Sequence, residues 1–296
     1  MTMTAIRGVR RRRGESERTS SAAAGGGLAR ILVTVVLGMI AVVALYPLIF
    51  TIVNSFKTRT GFAQNPLGIP DAITFDNYIE TFNRMAVPRL FLNSVIVTAG
   101  GLVLSTCAAL LLAYAVTKLR FRGSNLVFLF IIAMLVIPSQ VIIYPLYETI
   151  LDLGFGSTYS GLILAYAAFG LPISTYLLAA YFRAIPDQLL EAARLDGAGE
   201  IRILFSIMLP IATPAIAALS ILNFVWMWND LLLPLVIMGG SDKKTLMVGV
   251  ALLSGQYDVS IPLVSAGLVV ALLPVLIVYL LFQRQILSGA VAGAVR

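Results

Sequence analysis

Six long apolar runs divide this chain, roughly Ile31–Val53, Leu90–Thr117, Asn125–Tyr147, Thr158–Phe182, Ile211–Leu233 and Ile261–Phe282. The first covers 23 residues without a charge, and the fifth carries only Asp230, near its end. A helix needs about 20 apolar residues to cross the hydrocarbon core of a bilayer. Only helices and closed barrels satisfy the backbone in lipid. A barrel strand would show about ten residues of alternating polarity. These runs are longer and do not alternate, so the pattern predicts an all-α membrane protein with six transmembrane helices. Pro47, Pro138, Pro145, Pro172 and Pro274 fall inside the runs and Pro234 directly follows the fifth; all predict kinks, which helix bundles in membranes tolerate. Between the first two runs, Asn54–Arg89 is polar and holds Pro66, Pro70 and Pro88, with a short amphipathic helix expected over Thr74–Arg84.

Composition agrees with a membrane assignment. Charged residues are 12% of the chain, against about 25% in soluble domains, and mean hydropathy is +0.94. The net charge of +7 does not point to nucleic acid, because Arg7, Arg10, Arg11, Arg12, Arg13 and Arg18 crowd ahead of the small-residue stretch Ser20–Gly27. Residues 1–29 are expected to be a disordered basic tail in contact with membrane lipid, and 30–296 a six-helix domain. A cleaved signal peptide is not expected, since the apolar segment is too long and no small-x-small site follows it. With the N-terminus inside, 15 of the 21 Lys and Arg residues lie on the inner side. The positive-inside rule then puts both termini in the cytoplasm.

No histidine is present, and the single Cys107 lies in an apolar run, where it is expected to be a small hydrophobe. Histidine-based acid–base chemistry and a cysteine metal site are excluded, and no catalytic or metal-ligating residue is predicted. No Gly-x-x-x-x-Gly-Lys-Ser/Thr loop occurs, so ATP is not expected to bind this chain in the usual way.

The most informative segment is the inside loop 184–210. Pro186 suits the start of a helix and Asp187 its positive end. Leu189, Leu190, Ala193 and Leu195 give that helix an apolar face, and Gly197 and Gly199 allow a sharp turn. A second amphipathic stretch, Ile201–Met208, leads to Pro210. The expected form is two short helices along the membrane surface, joined by a glycine turn. A plain interfacial connection would have the same outline.

The spacing is more specific than the outline. Glu191-Ala192-Ala193, then Asp196-Gly197, Ile207 and Leu209-Pro210 resembles the EAA signature of ATP-binding-cassette importer permeases. Ile137-Pro-Ser-Gln-Val141, Tyr144-Pro-Leu-Tyr147, Gly161-Leu-Ile-Leu-Ala-Tyr166, Trp228-Asn-Asp230 and Gly289-Ala-Val-Ala-Gly-Ala-Val295 are similar to the second, maltose-type permease of sugar importers. The likeness covers roughly residues 30–296. It implies a type I importer permease fold, with the Glu191 helix docked in a cleft of a separate ATPase and Glu191 paired to a basic residue there. It also implies a homologous partner permease, two ATPase subunits that use ATP, and an extracytoplasmic solute-binding protein. The cargo implied is a sugar or related polar solute, with glycerol phosphate or another polyol derivative as the alternative.

Candidates for a solute path lie in the fifth run. Asn223, Trp226, Met227 and Asp230 share one face at helical spacing. Counting from Thr213 at about 1.5 Å per residue, Asn223 sits ~15 Å up, near the midplane, and Asp230 ~25 Å up, near the outer interface. An aromatic ring beside amides suits a sugar. The competing reading makes Trp226 and Trp228 interfacial anchors or core, and Asn223 a helix–helix hydrogen bond. Ser139, Gln140 and Tyr144 are weaker candidates for the same path. Gln256 and Tyr257, at the tip of the outer loop Gly239–Pro262, face a binding protein by the same resemblance, or the loop is a passive connector. An ion-gradient-driven transporter would need ionisable groups at mid-membrane, and a membrane enzyme an acid–base set. The runs supply neither.

Overall fold

The structure, a computed structural model, describes the backbone of residues 5–294 except 120 and 254–259, and side chains over 30–283 with the same exceptions. Gln256 and Tyr257 therefore lie outside the described residues, as do the side chains of the tail expected at 1–29, while the backbone of 5–29 is helical and runs into the first span where disorder was expected. Among those described, the chain is helical with no strand. Helix α1 (Ala5–Ser55) leads to the short α2 (Arg59–Gln64) and α3 (Asp76–Met85), then to α4 (Val87–Tyr114). A wide π turn, Ala115–Leu119, extends α4. Next come α5 (Ser124–Ala133), α6 (Ser139–Asp152), α7 (Tyr159–Ala184), α8 (Asp187–Leu195) and α9 (Glu200–Ile203). The chain ends with α10 (Leu209–Asn229), α11 (Leu232–Met238), α12 (Leu246–Leu253) and α13 (Ile261–Ala294).

Among the described residues, five segments are long and apolar enough to cross a membrane, at Arg30–Ser55, Val87–Leu119, Tyr159–Ala184, Glu200–Asn229 and Ile261–Gln283. The third expected span departs from a straight helix. Ser124–Val136 and Ser139–Asp152 meet at a bend of 107°, and the pair makes a sixth span when counted as one. The break sits at Ile137-Pro138. A residue before proline is pushed out of the α region, and Ile137 is extended, at φ −79° and ψ 117°. Pro138 therefore caps α6 instead of kinking a continuous helix. Pro47, Pro145, Pro172 and Pro274 do lie inside helices, as does Pro214.

A second correction concerns Ile201–Met208. This stretch is not a separate surface helix. It joins α9 to α10 through a π turn, Leu204–Met208, inside one 30-residue segment. Pro210 has no N–H to donate to the preceding turn, and the π turn lies just ahead of it, where that hydrogen bonding is interrupted.

The interior is built around α4 and α7, which pack more extensively than any other pair of helices. Small residues allow the approach. A Cβ on Gly101 would meet Tyr166 Cβ at 2.7 Å, and one on Gly100 would meet Ile163 Cδ1 at 2.6 Å. Gly170 opposes Ser105 of α4 and Met227 of α10. Helix association in lipid relies on such close van der Waals packing. Helix α10 adds Trp228, whose indole N–H donates to Ala271 O of α13 at 3.0 Å and whose ring meets Phe91 and Phe224. By contrast, none of the apolar window of α1 is buried, and Cys107 is exposed on α4. Cys107 therefore occupies a surface left for lipid or another subunit, and is not core.

At the end away from 184–210, polar side chains pin the connections. Asn93 donates to Lys244 O at 2.9 Å and accepts from Tyr159 Oη at 2.7 Å, while Ser94 Oγ accepts from Leu246 N. Lys57 is 2% exposed and donates to Asn65 O and Pro66 O. Asn77 of α3 donates to Ser55 O and Lys57 O, closing the end of α1. The amphipathic helix expected at Thr74–Arg84 thus forms as α3, one or two residues later.

The α4–α7 contact gives a direct test. Gly101→Val forces the helices apart and costs about 1–3 kcal/mol by overpacking. Gly38→Val, where a Cβ meets nothing within 4 Å, changes little. Thermal unfolding of both variants in one detergent measures the difference.

Candidate functional site

The loop between α7 and α10 is built from its helix termini. Helix α8 begins after Pro186, whose extended backbone at ψ 135° precedes the first turn. It ends in a complete Schellman motif. Gly197 N–H donates to Arg194 O, and Ala198 N–H donates to Ala193 O. Gly197 takes φ +80°, a region that glycine enters without Cβ strain. Gly199 keeps an ordinary φ of −73°, so the turn expected of both glycines is made by Gly197.

The predicted apolar face of α8 divides. Leu190 is buried among Ala113, Tyr114, Phe182, Ile185 and Ile203, with Ala193 packed against the same cluster. Leu195 is 90% exposed and Leu189 is exposed too, which corrects the expectation of a single face containing all four. Gln188, Glu191, Ala192 and Leu195, spaced as one helical stripe, all face outward. Ile201, 76% exposed, stands just past the turn. Asp196 caps α8, Ile207 and Leu209 are half-buried, and Pro210 is exposed.

Two polar clusters that the sequence did not single out hold this loop. Lys118, in the π turn after α4, has a side chain 4% exposed. It donates to Ile185 O at 2.7 Å and Asp187 Oδ1 at 2.8 Å. Glu200, the first residue of α9, accepts from Arg194 Nε at 2.9 Å, Arg194 Nη2 at 3.3 Å and Tyr114 Oη at 2.5 Å. The Glu200 hydrogen bond pushes the Arg194 pKa up. Arg183 lies 4.2 Å over the Phe128 ring, tying the end of α7 to α5. The signals in the sequence were a basic turn at 118–122 and opposite charges on either side of Gly197. Neither says which groups meet.

The α10 candidates separate. Asn223 is 4% exposed and donates to Ser174 Oγ of α7 at 2.7 Å, so its amide makes the helix–helix bond of the competing reading. Trp226 is 38% exposed and sits edge-on to Tyr166 and Phe169. Met227 is core. Asp230 ends α10, and its Oδ1 accepts from Leu232 N at the start of α11. It interacts electrostatically with Tyr166, yet Tyr166 Oη and Asp230 Oδ2 are buried without a hydrogen-bond partner in close geometry. Trp226 and Asp230 therefore flank one side chain, Tyr166. Trp228 is core, bonded to Ala271. Ser139 is half-buried and Gln140 exposed at the bend before α6, and Tyr144 is exposed one turn on.

Fold and loop together define a helical integral membrane transport subunit, with one short helix presented at one end of the bundle. Comparison with known proteins makes the class specific. Residues 105–288 match the family described as binding-protein-dependent transport system inner membrane component, and the chain belongs to that family. It is 35% identical over 258 residues to the diacetylchitobiose uptake system permease protein NgcG of Streptomyces coelicolor, covering 86% of this chain and 85% of that one. It is 32% identical to the trehalose/maltose transport system permease protein MalG of Thermococcus litoralis, over 91% of this chain and 98% of that one. Its fold matches a chain from the crystal structure of a bacterial ABC transporter involved in the import of the acidic polysaccharide alginate. There the TM-score is 0.74 at 27% identity, over 86% of this chain and 95% of that one.

The Gly197 geometry generates a prediction. Gly197→Ala meets no neighbour, since nothing lies within 4 Å of a Cβ there. It still carries the left-handed backbone penalty of about 1–2 kcal/mol. Amide hydrogen exchange over 190–200 is expected to quicken while exchange in α4 and α7 holds, as read by mass spectrometry of peptides from these segments.

Proposed function

We propose that this chain is the permease subunit of an ATP-binding-cassette importer for a di- or oligosaccharide, coupled to a separate ATPase through α8. The observation that carries this reading is the outward stripe Gln188, Glu191, Ala192 and Leu195. A large apolar side chain, a carboxylate and a close-approach alanine are exposed together on a helix anchored on its other side by buried Leu190. Exposed apolar surface rimmed by polar groups marks a contact site. Glu191 and Ala192 of the stripe are positions of the EAA signature, so on this reading the 184–210 end faces the cytoplasm with both chain termini, as the charge count predicts. ATP is used by the partner ATPases, two per complex, and this chain binds no cofactor. A homologous permease covers the exposed faces of α4 and the α5–α6 pair.

A sugar cargo is supported by the relatives, whose names include arabinooligosaccharides, trehalose/maltose and diacetylchitobiose transport. On this reading a solute-binding protein delivers the sugar at the end away from α8. Trp226, Asp230, Ser139 and Gln140 contribute polar and aromatic surface to a path completed by the partner permease, while Asn223 holds that path's wall. Gln256 and Tyr257 face the binding protein.

The test is uptake by the complete complex in vesicles. Uptake is expected to require internal ATP and to survive an uncoupler. Glu191→Lys is expected to lower it about tenfold or more, the equivalent of at least ~1.4 kcal/mol of docking energy. Gly197→Pro is expected to act similarly by misdirecting α8. Uptake abolished by the uncoupler but indifferent to ATP would restore the gradient-driven alternative. Full uptake and ATPase association in Glu191→Lys would remove α8 as the docking helix.

A further inference from the structure

We propose that Lys118 and Tyr114, on adjoining turns at the end of α4, are positioning residues that clamp both ends of α8. The clamp makes the docking helix an extension of α4 rather than a loop hung between α7 and α10.

Lys118 holds the entry to α8. Its ammonium takes Ile185 O and Asp187 Oδ1, and its side chain is 4% exposed against 40% for Asp187. A buried ammonium left without acceptors is costly, so this junction cannot open without exposing or stranding the charge. Tyr114 holds the exit. Its hydroxyl donates to Glu200, which also receives two N–H groups of Arg194 from the last turn of α8. Arg194 and Glu200 stand on either side of Gly197, the one residue of the turn with a left-handed backbone. The ion pair spans the hinge, and Tyr114 fixes the hinge to α4. Between these points Leu190 is buried in the same apolar cluster as Ala113 and Tyr114.

Lys118 and Tyr114 are four residues apart, with Lys118 inside the π turn. A wide turn shifts the side chains after it around the helix axis, and here it accompanies both residues meeting the same short helix. Force applied to the outward face of α8 therefore enters α4 at two points. Helix α4 in turn packs along α7 and holds Lys244 O and Leu246 N through Asn93 and Ser94 at its far end. A packed element with two fixed ends moves as a rigid body.

The functional consequence rests on the importer reading above, but the clamp has a test of its own. In the full chain in nanodiscs, spin labels at Gln188 on α8 and Cys107 on α4 report the distance between the two helices. The variants are Lys118→Met, Tyr114→Phe, Glu200→Gln and the exchange Arg194→Glu with Glu200→Arg. The first and third are expected to broaden the distance distribution, and Tyr114→Phe to broaden it less. The exchange is expected to narrow it again relative to Arg194→Glu alone. In the complete transport complex, Lys118→Met and Glu200→Gln are expected to lower solute moved per ATP hydrolysed about fivefold or more, with ATPase subunits still bound. Unchanged distances in Lys118→Met and Glu200→Gln would overturn the clamp. So would broadened distances with unchanged stoichiometry, since α4 would then not carry the coupling. Absence of ATP-driven uptake by the unaltered complex would count against the importer reading, and the distance measurement would still decide the clamp.

Discussion

The close approach of α4 and α7 is the constraint from which the rest of the bundle follows. Lipid gives no hydrophobic reward for bringing two helices together, so contact depends on how near the backbones come. Gly100 and Gly101 on α4 and Gly170 on α7 remove the side chains that would hold them apart. Once the two are together, Tyr166 is fully buried and Met227 reaches Gly101 and Gly170. Asn223 then lies within reach of Ser174. The place of α10 is a consequence of that pair.

The same approach brings the ends of α4 and α7 to one spot, where the turn into α8 must be accommodated. Backbone groups at helix ends need partners, and the chain supplies them with few charges. Lys118 serves the Ile185 carbonyl, and the Schellman turn at Gly197 serves the carbonyls of α8. With these groups satisfied, the outward stripe of α8 is left free of internal obligations. A helix held on one face and open on the other is suited to receive a partner without rearranging.

Much of this was legible from the chain alone. Apolar run length marked four of the spans to within a few residues, because the hydrocarbon thickness acts on composition directly, while the run starting at Ile211 missed the start of its span at Glu200. The charge pattern marked 184–210, and Pro186, Asp187 and Gly197 marked a helix with a defined start and stop. The legible part ended where partners come from distant positions. Lys118 and Asp187 are 69 residues apart, and Tyr114 and Glu200 are 86. No local pattern pairs them. For a different reason, the sharpness of the break in the third span was not legible. Periodicity and hydropathy do not register the conformation that Pro138 imposes on Ile137, and a run long enough to cross was divided at that residue. Ile201–Met208 was misread because an amphipathic stretch beside a span looks alike whether it lies on the surface or continues the span.

The α10 face shows how tertiary context sorts residues that share a helical stripe. Asn223, Trp226, Met227 and Asp230 lie on one side in projection, yet only Trp226 keeps substantial exposure with ring neighbours on both sides. Asn223 is spent on Ser174 and Met227 on the glycines. Asp230 sets the break between α10 and α11 through Leu232 N, leaving its second oxygen and the Tyr166 hydroxyl as buried polar atoms with no hydrogen bond to a third group. Buried polar atoms without partners are uncommon in folded chains. Here two of them converge beside an exposed indole at the end of the bundle away from α8. The two groups interact with each other, so the Tyr166–Asp230 pair ties α7 to α10 near that end as Asn223 and Ser174 do deeper in the bundle.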